Sequence, residues 1–99
     1  MATVMDIVVR AIRQRRTLRF YYRGLLRVVI PTTYGYTAKG ELLLRAYQIG
    51  GHTSSSTAEL WRTFRVAEVS QWQLSGSFDR LPRGGSAREK VFAQIIAQA

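Results

Sequence analysis

At Thr17 the hydrophobic period of the chain changes from 3.6 to 2, and no helical segment interrupts that period until after Ser75. A chain ordered this way has no βαβ units, so its strands must pair antiparallel through short connections. With 99 residues there is room for one small domain only. The 46% hydrophobic content is enough to pack a core, which separates the chain from basic disordered tails of similar charge. The expected architecture is mainly β with flanking helices, a small antiparallel barrel of five strands.

Before the switch, Val4, Ile7, Val8, Ala11 and Ile12 fall on one stripe of a helix running from Thr3 to Arg16, and Thr3 with Asp6 forms a capping-box pattern. Arg10, Arg13 and Arg16 line its other side. After the switch, Leu18, Phe20 and Tyr22 alternate with Arg19, Tyr21 and Arg23. Arg23-Gly24 then reads as a hairpin turn into a strand over Leu26 to Ile30, ended by Pro31. Lys39-Gly40 marks another turn. Glu41 to Ile49 is the longest apolar strand and the expected centre of the sheet, with Leu42, Leu44 and Ala46 on one face and Leu43, Arg45 and Tyr47 on the other. Residues 50–58, rich in Gly and Ser, read as an exposed loop that orders on binding. Glu59 to Val66 and Val69 to Ser75 supply the last two strands. Beyond a Pro/Gly-rich linker, Ser86 and Glu89 cap a short C-terminal helix from Ala87 to Ala97, with Val91, Phe92, Ile95 and Ile96 on its apolar side. Residues 1–78 thus form the barrel unit, and residues 79–99 a linker and helix packed on or extending it.

The charge is one-sided: 15 Lys+Arg against 6 Asp+Glu, a formal +9, with thirteen of the cations Arg. Guanidinium groups fork onto phosphate or carboxylate oxygens and stack on flat rings, so an anion surface is expected, with nucleic acid as its partner. Seven Arg lie between positions 10 and 27 against the single acid Asp6 in residues 1–27, and Arg45, Arg62 and Arg65 form a second group. Arg is interleaved with aromatics at Arg19, Tyr21, Tyr22 and Arg23, and again at Trp61, Arg62, Phe64 and Arg65, a mixture that pairs phosphates while stacking bases. Alternation sends Phe20, Tyr22, Phe64 and Trp72 toward the core, leaving Tyr21, Tyr47 and Trp61 undecided.

Enzymatic chemistry finds little material. There is no cysteine, no phosphate-binding glycine loop, and no spacing of acids and His52 that would hold a metal. A nuclease built on His52 and a strand glutamate is the weaker alternative to a binding module. No cofactor and no metal is expected. No apolar run is long enough for a membrane span, and a cytoplasmic location is expected.

From Ile7 to Val69 the series resembles the WYL domain, a bacterial ligand-sensing module with a five-stranded Sm-like barrel. The resemblance rests on the helix ending Ala11-Ile12 to Arg16, the strand Phe20-Tyr21-Tyr22, and Arg27 four residues before Pro31. It continues through Gly40, the strand Leu42-Leu43-Leu44-Arg45-Ala46-Tyr47 and Arg62-Thr63-Phe64-Arg65. Leu42 and Leu43 stand where the name-giving Trp and Tyr would be, and Glu68 where an arginine is frequent. The resemblance implies a non-enzymatic regulatory domain in transcription or phage defence, one that binds single-stranded nucleic acid or a nucleotide and works with a DNA-binding or effector domain. It implies binding residues Tyr22, Arg27, Arg62 and Arg65, with Arg45, Tyr47 and His52 reaching the same mouth and Tyr22 or Tyr47 stacking on a base. Arg45 and Arg62 have a structural alternative, ion pairs with Glu41 or Glu59 across strands. The rival function is a protein-interaction or oligomerisation module, in which Phe92, Ile95 and Ile96 of the C-terminal helix, with an edge strand, make a homodimer surface.

Overall fold

The computed structural model describes residues 4–51, 61–82 and 91–99, with side chains from residue 6 onward. Among these, helix α1 (Val4–Arg13) is followed by strands β1 (Arg16–Tyr22), β2 (Leu25–Tyr36), β3 (Leu42–Gly51) and β4 (Trp61–Arg65). A 3-10 turn (Val66–Glu68) leads to β5 (Val69–Ser77), and β6 (Gln94–Gln98) ends the series. All pairings are antiparallel, and the sheet runs β4-β3-β2-β1-β5 with β6 joined to β2. No helix among the described residues is long and apolar enough to cross a membrane.

Turn chemistry sets the first hairpin. Arg23 and Gly24 both take positive φ, 53° and 80°, between the paired residues Tyr22 and Leu25. That is the two-residue turn whose twist matches paired strands. The turn before β3 is closed by backbone bonds from Gly40 to Thr37 and from Thr37 to Glu41.

Pro31 does not end the second strand, contrary to the sequence expectation; β2 runs on to Tyr36. The reason lies in its partners. β2 pairs with β1 only as far as Val29 and with β6 from Thr33, so the missing N–H of Pro31 falls where the strand changes neighbours. On the β3 side a bulge between Pro31 and Thr33 absorbs one residue. The bulge inverts the alternation: Val29 faces the core before it, and Tyr34 after it.

The C-terminal segment is a strand where a helix was expected over Ala87 to Ala97; residues 87–90, with the Ser86 and Glu89 cap, lie outside the described residues. Past Pro31, β2 has an edge no longer taken by β1, and its backbone groups need partners. β6 supplies them from Gln94 to Gln98, with Ala97 entering the core. Gly35 permits the approach, because a Cβ there would run into the carbonyl of Gln94. Tertiary pairing therefore overrides the helical spacing of Phe92, Ile95 and Ile96.

The sheet curls strongly. Flat, β4 and β5 would lie at edges separated by four strand spacings, ~19 Å. The link from Arg65 to Val69 takes four Cα steps, at most ~14 Å even when extended. The edges must therefore bend toward one another, although no ladder closes β4 onto β5 among the described residues. Inside the curl lie Leu18, Phe20, Tyr22, Val29, Tyr34, Leu44, Ala46 and Phe64, covered by Val8, Ala11 and Ile12 of α1.

Tyr34 is completely buried, and its hydroxyl has no hydrogen-bond partner among the described residues. Burial, with a smaller contribution from Tyr36, pushes its pKa up to about 12. The unfolded chain therefore loses this proton first. The stability tied to it is complete below the ordinary value of 10 and is lost as pH rises through about 12. Tyr34→Phe is expected to stabilise the fold at neutral pH by about 1–2 kcal/mol, since it removes an unsatisfied buried group, and to flatten the alkaline loss. Urea unfolding of both proteins at neutral and strongly alkaline pH checks this; a destabilised Tyr34→Phe protein would show that the hydroxyl is satisfied.

Candidate functional site

At the end of the sheet where β3 reaches Gly51, two arginines lie on the core-facing side. Alternation puts them there: Arg27 pairs with Phe20 across β1, and Arg62 pairs with Ala46 across β3. Arg27 is 7% exposed. Its Nη1 donates to Gln48 Oε1 at 3.2 Å, and Gln48 Nε2 in turn donates to the Gly50 carbonyl at 3.1 Å. The guanidinium lies 5.7 Å from the centre of the Tyr22 ring and 5.9 Å from that of Phe64, within cation–π range of both. Its Nε is buried without a hydrogen-bond partner, and no carboxylate pairs with it among the described residues.

Burial is the main cause that lowers the pKa of Arg27, and the neighbouring charges of Arg62 and Arg23 lower it further, against a smaller opposite effect of Tyr22. Two cations held together where water is scarce repel one another, and an anion between them removes the repulsion. Arg23 stands on the rim with its guanidinium 5.2 Å from the Tyr22 ring. It is already paired: its Nε donates to Glu68 Oε1 at 2.8 Å, a bond that raises the arginine's pKa and lowers the carboxylate's.

Tyr22 has no face to offer a base. Its ring meets Phe64 edge-on at 5.0 Å, carries the guanidiniums of Arg23 and Arg27, and is 8% exposed. Its hydroxyl accepts the backbone N–H of Arg65 at 3.4 Å. The ring of Tyr22 is therefore covered by the two guanidiniums and Phe64.

Of the remaining sequence candidates, Arg45, Tyr47 and Arg65 do not share this mouth. Arg45 and Tyr47 alternate onto the opposite face of β3 with Trp61 and Thr63 of β4. There Arg45 Nη1 donates to Thr63 Oγ1 at 3.1 Å, its guanidinium lies 5.2 Å from the Trp61 ring, and Tyr47 meets Trp61 edge-on at 5.3 Å. Arg65 also points outward, and it is Arg65 that pairs with Glu41, at 3.3 Å, and with Glu68, at 3.9 Å. His52 and Glu59 lie outside the described residues, as do residues 52–58 of the expected loop; Gly50 and Gly51 belong to β3. The N-terminal basic run is partly structural. Arg15 Nη1 donates to the Asp79 carbonyl at 2.7 Å, and Arg16 holds the Ser75 and Gly76 carbonyls at the end of β5.

The sequence alone does not single out Gln48, although continuing the Leu44, Ala46 alternation puts a polar residue on the core face. Among the described residues no three His, Cys, Asp or Glu side chains gather to hold a metal. The fold and site together define a small antiparallel β domain with a basic corner on its inner face. Comparison with family models, curated proteins and solved structures gives no match.

Proposed function

We propose that this chain is a WYL-type sensor domain, built as an Sm-like barrel, that binds the phosphates of a single-stranded nucleic acid or nucleotide without turning it over. The observation that carries the reading is Arg27, a buried cation beside Arg62 with a donor left open and no carboxylate paired to it among the described residues. Such an arrangement costs stability in the empty protein and is repaired by an anion. The strand order, with its ends joined by a three-residue turn, supports the barrel reading. Arg27 and Arg62 hold phosphate oxygens and Tyr22 sets their geometry. A regulatory partner domain would read the occupied state.

Fluorescence anisotropy with a labelled oligothymidylate of about ten nucleotides, over a salt series, tests the reading. Two phosphate contacts predict a slope of log K against log salt near −1.4 for a single strand. Arg62→Ala is expected to reduce it by about 0.7. Lys39→Ala, which removes one charge at the turn before β3, at the other end of that strand, is expected to leave it nearly unchanged. Equal losses in the two variants would mean a diffuse field and no site. The interaction-module alternative keeps one observation, the exposed Val91 and Ile95 around β6, and predicts a concentration-dependent sedimentation coefficient.

A further inference from the structure

We infer that Arg23 is a further anion-binding residue of the Arg27 corner, and that Glu68 occupies it in the wild-type protein as an internal competitor for the ligand's phosphate. The inference rests on the anion-binding reading above and adds what limits affinity there.

Position is the first argument. Arg23 opens the two-residue turn between β1 and β2, with a φ of 53°. From there its guanidinium comes within 5.2 Å of the centre of the Tyr22 ring, the ring that also has the Arg27 guanidinium at 5.7 Å. The two cations share one aromatic ring, and the charge of Arg23 is felt at Arg27, whose pKa it helps to lower. An anion at Arg27 therefore lies in the field of Arg23 as well.

The second argument is what Arg23 holds. Its Nε donates to Glu68 Oε1 at 2.8 Å and its Nη2 to Oε2 at 3.4 Å, a side-on fork onto both oxygens of one carboxylate. A phosphate group, esterified once or twice, presents the same pair of oxygens to the same fork, so Glu68 and the ligand compete for one set of donors. Glu68 also sets a negative charge at the rim, which repels an incoming phosphate. The two side chains are 60% and 36% exposed, and exposed pairs of this kind contribute little to stability. The contact is thus of more consequence for binding than for the fold.

The third argument is that Glu68 has a second partner. At the end of the 3-10 turn its Oε2 lies 3.9 Å from Arg65 Nη1, and Arg65 is held in turn by Glu41 at 3.3 Å. The Tyr22 hydroxyl accepts the backbone N–H of Arg65 and fixes it beside the corner. A carboxylate between two guanidiniums can release Arg23 and stay paired with Arg65. The corner then has a closed state, with Arg23 on Glu68, and an open one, with Arg23 on the ligand. Because Glu68 belongs to the same chain, it faces Arg23 at a high effective concentration and keeps the wild-type protein closed against a dilute ligand.

The test is anisotropy with the same labelled oligothymidylate over the same salt series. Glu68→Gln keeps the size and replaces the charged fork by one neutral acceptor. It is expected to tighten binding about fivefold at ~0.1 M salt and to steepen the slope by about 0.7, the effect of one more phosphate contact. Asp79→Asn, which removes a negative charge beyond β5 at the opposite end of β1, is expected to leave the slope unchanged. Arg23→Gln alone should have little effect, and combined with Glu68→Gln it should cancel the gain. All three side chains are exposed, and urea unfolding checks that each variant keeps the wild-type midpoint. No gain in Glu68→Gln, an equal gain in Asp79→Asn, or a gain that survives in the double variant overturns the inference and leaves strand binding by the wild type in place. Failure of both the wild type and Glu68→Gln to bind overturns the anion-binding reading together with it.

Discussion

Arg27→Met is expected to make the protein more stable, by about 1–3 kcal/mol in a buffer free of phosphate and sulfate, while abolishing its response to phosphate. A methionine fills much of the same volume between the Tyr22 and Phe64 rings, and it brings neither the desolvated charge nor the buried Nε that lacks an acceptor. It also ends the repulsion with Arg62 that depresses the pKa of Arg27. Against these gains stand one lost hydrogen bond to Gln48, worth about 1 kcal/mol, and the cation–π contacts with Tyr22 and Phe64. The wild-type protein, by mass action, should gain about 2.7 kcal/mol at a phosphate concentration one hundredfold above its dissociation constant. Thermal unfolding of both proteins with and without phosphate reads both effects. A variant less stable than wild type in anion-free buffer would make Arg27 a structural residue and remove the main support for a binding site.

That Arg27 points inward is not legible from the sequence alone, since Leu26, Val28 and Ile30 make the more apolar parity of the strand and Arg27 lies on the other; the register that sets Arg27 opposite Phe20 decides it. The helix stripe of Val8, Ala11 and Ile12, the Arg23-Gly24 and Lys39-Gly40 turns and the alternation of Leu18, Phe20 and Tyr22 are legible, because each depends on neighbours close in the chain. The misreadings share a cause. Pro31 reads as a stop because a proline lacks a donor, but whether a donor is needed depends on which strand lies alongside, and at Pro31 none does on the β1 side. Phe92, Ile95 and Ile96 fit a helix by spacing and a strand by composition; the edge of β2 past Pro31 decides between them. The single mouth implied for Tyr22, Arg27, Arg45, Tyr47, His52, Arg62 and Arg65 is divided by register, which sets Arg62 opposite Ala46 and Arg45 opposite Thr63 on the two faces of β3 and β4, while His52 lies outside the described residues.

Phe64→Ala carries the largest expected loss, about 3–5 kcal/mol. For a chain of this size the whole stability is about 5–15 kcal/mol, so the variant should be marginal at room temperature. Phe64 is 1% exposed and joins the two halves of the curled sheet: its ring meets Phe20 and Tyr22 edge-on, each at 5.0 Å, and β1 carries both while Phe64 comes from β4. Among the described residues β4 has a ladder with β3 only, so this aromatic contact, together with the short link from Arg65 to Val69, draws one edge of the sheet toward the strand beside the other edge. Removing it should release β4, and with it Arg62, from Arg27. Phe64→Leu keeps most of the volume and is expected to cost under about 2 kcal/mol while retaining phosphate binding. Both substitutions remove the ring beside the Arg27 guanidinium, so the difference between the two variants reads packing alone. Urea unfolding monitored by tryptophan fluorescence measures both variants, with Trp72 reporting from its place against Phe20 at 4.9 Å. A loss below about 1 kcal/mol in Phe64→Ala would mean that β4 is not held to the core through its aromatic ring, and the inward placement of Arg62 would fall with it.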